Sequence, residues 1–517
     1  MRRSLVGVVF RAAVSREVLD GQTLKMILGG IRGGLPERSH VPSEIHSGQE
    51  IMVFPVSHSQ MSLSPGSAFD SDQAKRRSFA PHFVWAMWGL CTIGVYVFLA
   101  RFAVNIPWHD DWILLWAYDK GTSIWAWMWR QQNEHRFPIS KAVLFLVYKL
   151  THHDSRVCMC LNVTVFVALS AALIVVTGRK RGRTVWADAL FPLVLLSGAQ
   201  YWNFLMSIQL FVISAAALQC LAIVFVYAGA YRSRRGILCF GPVFALLPLH
   251  AGNGMAALPP LLVFLLLAGW FRRREATRRG RVDALLLFAF AALAGLLALL
   301  YMVGYVPQKQ HLPPNSLAHF LVTTAQYLCV SVGLALIQEK LWLWALIPTT
   351  LMLVTTATLC VTSLARDRGK DGGLEAAGYL LCLLFILLSA ILVGYGRSRL
   401  GEYSGLSHRF VSMLVPLPIL VYLAWDSLPL SARTRSFARN TLFILFLVLM
   451  PLNSYQGVRH ADFRRAKLEA MLSDIQAGVP ARQVAARHYQ TVFPGYEKHL
   501  ASYLEIMEQK RLGPYYP

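Results

Sequence analysis

Two adjacent carboxylates, Asp110 and Asp111, follow the first long apolar run, in the stretch N-I-P-W-H-D-D-W at residues 105–112. Partial desolvation at such a boundary raises the pKa of an aspartate, and a second carboxylate raises it further. A raised pKa suits general-base catalysis on a hydroxyl group. Adjacent residues on a helix do not face each other, so we expect one aspartate to be the base and the other to orient or cap, with Asp110 preferred as the base. The simpler alternative is that both cap a helix.

A second polar group, N-E-H-R at residues 133–136, follows about two dozen residues later. Glu134, His135 and Arg136 are candidate contacts for a polar ligand. The alternative is a solvated loop with a local ion pair.

A third group is basic and lies late in the chain, in G-R-S-R-L-G at 396–401 and S-H-R-F at 407–410. The planar guanidinium of arginine donates two parallel hydrogen bonds to a phosphate. We therefore expect a phosphate clamp here, unless these residues mark a wet loop or contact lipid headgroups. Its candidate members are Arg397, Arg399, Arg409, Tyr403 and His408.

Polar side chains also interrupt two neighbouring apolar regions. Buried amides can hold helices together, and the alternative is that they bind a polar ligand. The candidates are Gln200, Trp202, Asn203, Gln209 and Asn253.

The composition indicates an integral membrane protein. Of 517 residues, 55% are hydrophobic and only 15% are charged, whereas soluble domains carry about a quarter charged residues. The formal net charge of +23 lies in short basic runs between apolar segments, as expected of cytoplasmic loops, so we do not expect nucleic-acid binding. These runs are 179–183, 232–235, 271–281, 366–370 and 431–439.

Eight cysteines lie within or beside the apolar runs without zinc-like spacing, so neither disulfides nor a metal cluster is expected. Paired carboxylates could hold a divalent cation at a donor phosphate, although no further carboxylate cluster supports it. No other cofactor is indicated.

The predicted fold class is all-α, a polytopic membrane helix bundle. A spanning helix needs about 20 apolar residues, and an inside N-terminus puts every basic run on the cytoplasmic side. Segment 316–337 would be re-entrant or interfacial on the far side. Eleven transmembrane helices are predicted, at 83–104, 157–177, 185–200, 208–230, 237–251, 255–271, 283–306, 341–364, 376–395, 409–425 and 439–453.

Three regions follow from this organisation. Residues 1–80 are polar and are expected to be a disordered cytoplasmic extension. Residues 81–453 form the membrane domain, whose first outer loop, 105–156, holds six of the fourteen tryptophans and is expected to form interfacial helices. Residues 454–517 are expected to form a small soluble helical tail outside.

The chain resembles the bacterial membrane glycosyltransferases of the GT-C superfamily, which include protein mannosyltransferases and lipid A aminoarabinose transferases. The likeness rests on W-H-D-D-W after the first span, N-E-H-R-F-P, Q-Y-W-N at 200–203, A-G-N-G at 251–254 and the two late arginine blocks. It implies sugar transfer from a polyprenyl-phosphate donor on the non-cytoplasmic face, with an Asp of the first outer loop as the catalytic residue. On this resemblance, the residues expected to contact the sugar or the acceptor are Glu134, His135, Arg136, Gln200, Trp202, Asn203, Gln209 and Asn253. Where members often have Arg-Tyr, this chain has Arg409 and Phe410.

The sequence therefore predicts an enzyme, a glycosyltransferase of the bacterial inner membrane that acts on a cell-envelope acceptor at the periplasmic face. Its partners would be the lipid-linked donor and membrane lipids, and its oligomeric state stays open. The alternatives are a flippase or transporter of lipid-linked sugars, which would need paired polar elements at the midplane of two halves, and a polymerase or ligase of O-antigen type.

Overall fold

The computed structural model describes residues 67–118, 123–307, 313–367 and 371–516. These residues are helical throughout, without a β-strand among them, so the predicted all-α class is confirmed. Lys75–Pro517 form one compact unit. Residues 1–66 of the expected N-terminal extension lie outside the described residues, whereas Ser67 already begins the first helix.

The α-helices are numbered in chain order. The first nine are α1 (Ser67–Phe102), α2 (Ile124–Trp129), α3 (Pro138–Leu150), α4 (Ser155–Arg181), α5 (Leu190–Leu195), α6 (Tyr201–Phe204), α7 (Leu210–Tyr227), α8 (Arg234–Leu246) and α9 (Ala251–Arg274). The others are α10 (Arg278–Met302), α11 (Leu317–Cys329), α12 (Trp342–Arg366), α13 (Asp371–Arg397), α14 (Phe410–Leu414), α15 (Pro416–Ser427), α16 (Ala432–Gln476), α17 (Ala481–Val492) and α18 (Glu497–Lys510).

Short 3-10 helices join many of these. They are His109–Tyr118, Trp186–Ala189, Gly198–Gln200, Ser207–Gln209, Ala230–Arg232, Leu247–Leu249, Val330–Val332, Leu334–Leu336, Glu339–Leu341, Ser404–Leu406 and Gly513–Tyr515.

Nine helical segments of the described chain are long and apolar enough to cross a membrane, so the protein is a multi-pass helical bundle. They correspond to nine of the eleven predicted spans. The apolar helix at Leu317–Val332 is shorter, within the segment expected to be re-entrant. The nine are Phe79–Phe102, Ser155–Arg181, Ser207–Tyr227, Ala251–Arg274, Arg278–Met302, Trp342–Arg366, Gly372–Arg397, Phe410–Ser427 and Ala432–Gln476.

The predicted span at 185–200 is broken into short helices. Gly198 and Gly457 of α16 meet so closely that a Cβ on Gly457 would lie 2.0 Å from the Gly198 carbonyl oxygen. The break therefore lets the chain backbone lie directly against α16. Such irregular backbone is tolerated at membrane depth where protein surrounds it.

The predicted span at 237–251 is also broken, at Leu247–Leu249. Pro248 lies there, and it has no backbone N–H to donate to the helix. Both broken segments nevertheless join the two ends of the bundle. The first starts at Asp188, which accepts from the Tyr422 hydroxyl at one end, and leads to Ser207, which contacts Asp111 at the other.

A buried ion-pair network, which the sequence analysis did not identify, ties the helices at the end opposite Asp111. Asp188 accepts hydrogen bonds from Arg181 at 2.5 Å and from Tyr422 at 2.6 Å. Asp426 accepts from the Tyr227 hydroxyl at 2.5 Å and pairs with Arg439. Each of these buried carboxylates therefore has an arginine partner and a tyrosine hydroxyl, which offset the cost of burying it.

The C-terminal region forms a second hydrophobic core with the first outer loop. Helix α16 continues unbroken from Ala432 to Gln476, about 68 Å at 1.5 Å per residue, well beyond a hydrocarbon layer of about 30 Å. Trp112 of the His109–Tyr118 helix stacks on Tyr503 of α18 at 6.5 Å. The expected tail is therefore packed onto the loop that carries the two aspartates.

Candidate active site

Asp111 is fully buried and holds two loops together. Its carboxylate accepts the Ile208 N–H at 2.7 Å and the N–H groups of Trp108 and Ser207 at 3.3 Å each. The bond to Trp108 closes the start of the His109–Tyr118 helix, as the expected cap would. Burial outweighs these bonds and raises the pKa of Asp111 to about 6. Asp111 therefore acts as an anchor of the backbone.

Asp110 faces a different group of side chains. It is half-buried, and burial raises its pKa against the opposing effect of Arg409, while Glu134 raises it further. His135 and Arg397 are also close enough to lower this pKa. The structure thus brings together residues from three separate parts of the chain, and we name Asp110, Glu134, His135, Arg397 and Arg409 the carboxylate–arginine cluster.

A tight turn presents Glu134 and His135 to this cluster. Gln132 and His135 exchange backbone hydrogen bonds of 2.8 Å, and Asn133 between them has a φ of 47°. The Gly252 N–H at the start of α9 donates to His135 Nδ1 at 3.2 Å. Nδ1 is then an acceptor, so the ring proton of neutral His135 lies on Nε2, 3.4 Å from Glu134 Oε1. Burial lowers the pKa of His135, which favours this neutral form.

Arg136 lies beside the cluster but is used elsewhere. Its guanidinium donates to the carbonyl oxygens of Tyr301, Val303 and Gly304 at 2.5, 2.6 and 2.8 Å. These carbonyls are the unpaired acceptors at the C-terminal end of α10, where a cation is favourable. Arg136 is buried, and its role here is to cap α10.

Arg397 and Arg409 share one aromatic platform. Their guanidinium carbons lie 5.3 and 5.7 Å from the centre of the Phe410 ring. Arg397 is also 3.5 Å from Glu134 Oε1. Phe410 thus supports both arginines through cation–π contacts.

Arg399 and Tyr403, the other members of the expected phosphate clamp, are exposed. Helix α13 ends at Arg397, so Arg399 lies in the following loop. Only two of the three predicted arginines therefore belong to the carboxylate–arginine cluster.

The predicted amides have mixed positions. Gln200 accepts from Ser412 at 2.5 Å and lines a small internal cavity of about 10 Å³, roughly the volume that one water needs. Asn203 donates to the Arg409 carbonyl oxygen at 3.2 Å and so fixes the backbone beside the cluster. Gln209 is buried and Asn253 half-buried, and the Asn253 carbonyl accepts from Gln219.

Trp202 and His408 belong to a string of aromatic rings, completed by three residues that the sequence analysis missed: His109, Tyr201 and His460. The Tyr201 hydroxyl and His408 Nδ1 are 2.5 Å apart, and His460 stacks on Tyr201 at 5.3 Å. His460 lies one helical turn before Arg464 on α16, a spacing that puts both on one face. That spacing was the available signal.

Arg464, also missed, is the buried cation beside Asp111. Its Nη2 donates to the Leu205 carbonyl oxygen at 2.6 Å, and its guanidinium lies 5.5 Å from the Trp108 ring centre. Its charge acts on the Asp111 carboxylate. Asp111 is therefore within the electrostatic reach of Arg464, as Asp110 is of Arg409.

For a metal ion, the described residues contain no group of three or more His, Cys, Asp or Glu side chains that could hold one. The cluster offers two carboxylates to two guanidinium groups instead, a set suited to an anionic ligand. The cluster thus places Asp110, a carboxylate with a raised pKa, near two guanidinium groups of the kind that can bind phosphate.

Comparisons with protein-family models, with curated proteins and with solved structures find no match to this chain.

Proposed function

We propose that this multi-pass membrane protein is a glycosyltransferase of GT-C type. It moves a sugar from a polyprenyl-phosphate donor to a hydroxyl group of a cell-envelope acceptor, at the periplasmic face of the bacterial inner membrane. The observation that carries the proposal is the carboxylate–arginine cluster, in which Asp110 of the first outer loop meets Arg397 and Arg409.

Asp110 is the proposed base. Its raised pKa brings a carboxylate nearer the working pH, where a general base is most effective. It is half-buried, so an acceptor hydroxyl can approach it. Asp111 has its oxygens committed to backbone N–H groups and is a positioning residue in this scheme.

Arg397 and Arg409 are the proposed phosphate clamp. In the reaction the acceptor oxygen bonds to the sugar carbon, the carbon–oxygen bond to phosphate breaks, and the acceptor proton goes to Asp110. The leaving lipid phosphate gains one negative charge as Asp110 loses one. The net charge of the site is unchanged, and the added charge appears where the two guanidinium groups can stabilise it.

The proposal is tested with the purified full-length protein and a panel of radiolabelled polyprenyl-phosphate sugars. Release of polyprenyl phosphate is expected for at least one donor, and Asp110→Asn should slow it by about a hundredfold or more, the contribution of a general base. Asp462→Asn is the matched control because Asp462 is an exposed aspartate of α16.

A flippase or transporter would move the donor across vesicles without cleaving it. Donor translocation by wild type and Asp110→Asn alike, with no release of polyprenyl phosphate from any donor, would therefore overturn the proposal.

A further inference from the structure

Five aromatic side chains form a connected group beside the proposed base, and we name them the ring cluster: His109, Tyr201, Trp202, His408 and His460. Ring centroids are 5.6 Å apart for His109 and Trp202, 6.2 Å for Trp202 and Tyr201, and 4.6 Å for His408 and His460. Four of the five are half-buried, and Tyr201 is buried behind them. The ring cluster is thus partly exposed to solvent through four of its side chains.

The ring cluster contains hydrogen-bonding groups that have no protein partner among the described residues. Within the described part of the chain, the ring nitrogens of His109 and His460 have no hydrogen-bond partner, and His408 uses only Nδ1, toward Tyr201. The indole N–H of Trp202 is buried without a partner there as well. Buried or half-buried polar groups left unpaired point to water or to a ligand that pairs with them.

The ring cluster is polar, and burial disfavours the charged form of its three histidines. Burial lowers the pKa of His109 to about 4, with a further contribution from Arg464 and Arg409, and burial lowers that of His408 to about 4. The positive charge of the buried Arg464 guanidinium interacts with the carboxylate of Asp111. Both imidazoles are therefore neutral near pH 7, each with a donor and an acceptor nitrogen.

The ring cluster adjoins the carboxylate–arginine cluster through neighbouring residues. His109 precedes Asp110 and His408 precedes Arg409 in the chain. Each of these two pairs of consecutive residues therefore contributes one residue to each cluster. Asn203, next to Trp202, donates to the Arg409 carbonyl. A ligand on the ring cluster would consequently lie beside the base and the phosphate clamp.

We propose that the ring cluster is the acceptor subsite and that it takes a neutral carbohydrate. Its description as the acceptor subsite rests on the proposed function, whereas the proposed binding of a carbohydrate does not. Aromatic faces cover the apolar C–H faces of sugar rings, and neutral imidazoles with an indole N–H pair with hydroxyl groups as both donors and acceptors. The charged half of the site takes the donor phosphate, and the uncharged half takes the hydroxyl-rich acceptor.

Binding is measured by saturation-transfer NMR on the full-length protein in nanodiscs, with cellobiose and maltose as neutral probes and digalacturonate as the anionic one. Saturation of the neutral disaccharides is expected. Their affinity should fall by about fivefold in His460→Ala, which removes one hydrogen bond, and recover in part in His460→Gln. His499→Ala, an exposed histidine of α18, is the matched control.

Equal binding by wild type and both His460 variants, or stronger saturation of digalacturonate than of the neutral probes, would overturn the inference. Hydrolysis of the lipid-linked donor in the absence of any acceptor, followed in parallel, reports on the proposed function alone. Absence of hydrolysis together with His460-dependent disaccharide binding would remove the transferase proposal and leave the carbohydrate site standing.

Discussion

Asp110 and Asp111 are adjacent in the chain, yet their carboxylates have separate partners. Asp111 holds the backbone of Trp108, Ser207 and Ile208, whereas Asp110 lies within the electrostatic reach of Arg409 and Arg397. His109, which precedes both aspartates, has a φ of 49° at the start of its helix. Asp111 therefore has a structural role, whereas Asp110 is available to a ligand. The two residues should respond differently to mutation.

Asp111→Asn should lower the free energy of unfolding by about 1–3 kcal/mol, because the amide NH2 replaces an oxygen and leaves a buried backbone N–H without an acceptor. Thermal unfolding in detergent, followed by tryptophan fluorescence, measures this. Asp110→Asn and the exposed control Asp462→Asn should unfold near the wild-type temperature. If Asp110→Asn were the more destabilising of the two, the assignment of roles would be reversed.

Glu134 should control the pH at which the proposed transferase becomes active. Asp110 must be ionised to accept a proton, so the acidic limb of the rate profile follows its raised pKa, which Glu134 raises further. Glu134→Gln removes that negative charge and should move the limb to lower pH. The profile of donor hydrolysis against pH tests this, with Glu469→Gln, an exposed pair partner of Arg465, as the control. A limb that stays in place or moves upward contradicts the proposed electrostatics.

Arg136→Gln should act on stability rather than on substrate affinity. Three carbonyl oxygens at the end of α10 lose a charged donor, which costs about 1.5–3 kcal/mol for a bond of this kind. Denaturant or thermal unfolding measures the loss, and Arg433→Gln, an exposed arginine of α16, is the comparison. A selective rise in donor KM with unchanged stability would instead return Arg136 to the binding site.

At the opposite end of the bundle, Asp426→Asn should destabilise the fold by about 3–5 kcal/mol, because Arg439 is left as a buried charge without its counterion. Glu375→Gln breaks the more exposed pair with Lys180 and should cost about 0–1 kcal/mol. Comparable losses for the two variants would show that burial does not distinguish these pairs.

The sequence predicted the helical membrane bundle because apolar run length is a strong local signal. The segments 185–200 and 237–251 differ from the predicted spanning helices for a reason that the local sequence pattern does not show. Their backbones lie against other protein segments, as at the Gly198–Gly457 contact, so they do not need an unbroken helix. The packing of the C-terminal region onto Trp112 was likewise invisible, because it depends on contacts between distant residues.

For the candidate site, the acidic pair, N-E-H-R and the late arginines were identified from residue type and from position relative to the spans. Three-dimensional contacts were needed to separate Arg136 and Arg399 from Arg397 and Arg409. Arg464 and His460 were missed because they lie where α16 continues beyond its apolar part, and their spacing alone does not show that this part of the helix packs against the first outer loop.

The most direct test of the central claim separates donor binding from donor cleavage in two variants. With the donor that wild type hydrolyses, Asp110→Asn should keep its Kd within about threefold while the cleavage rate falls about a hundredfold or more. Arg409→Gln should instead weaken donor binding. The account is contradicted if Asp110→Asn cleaves the donor at the wild-type rate.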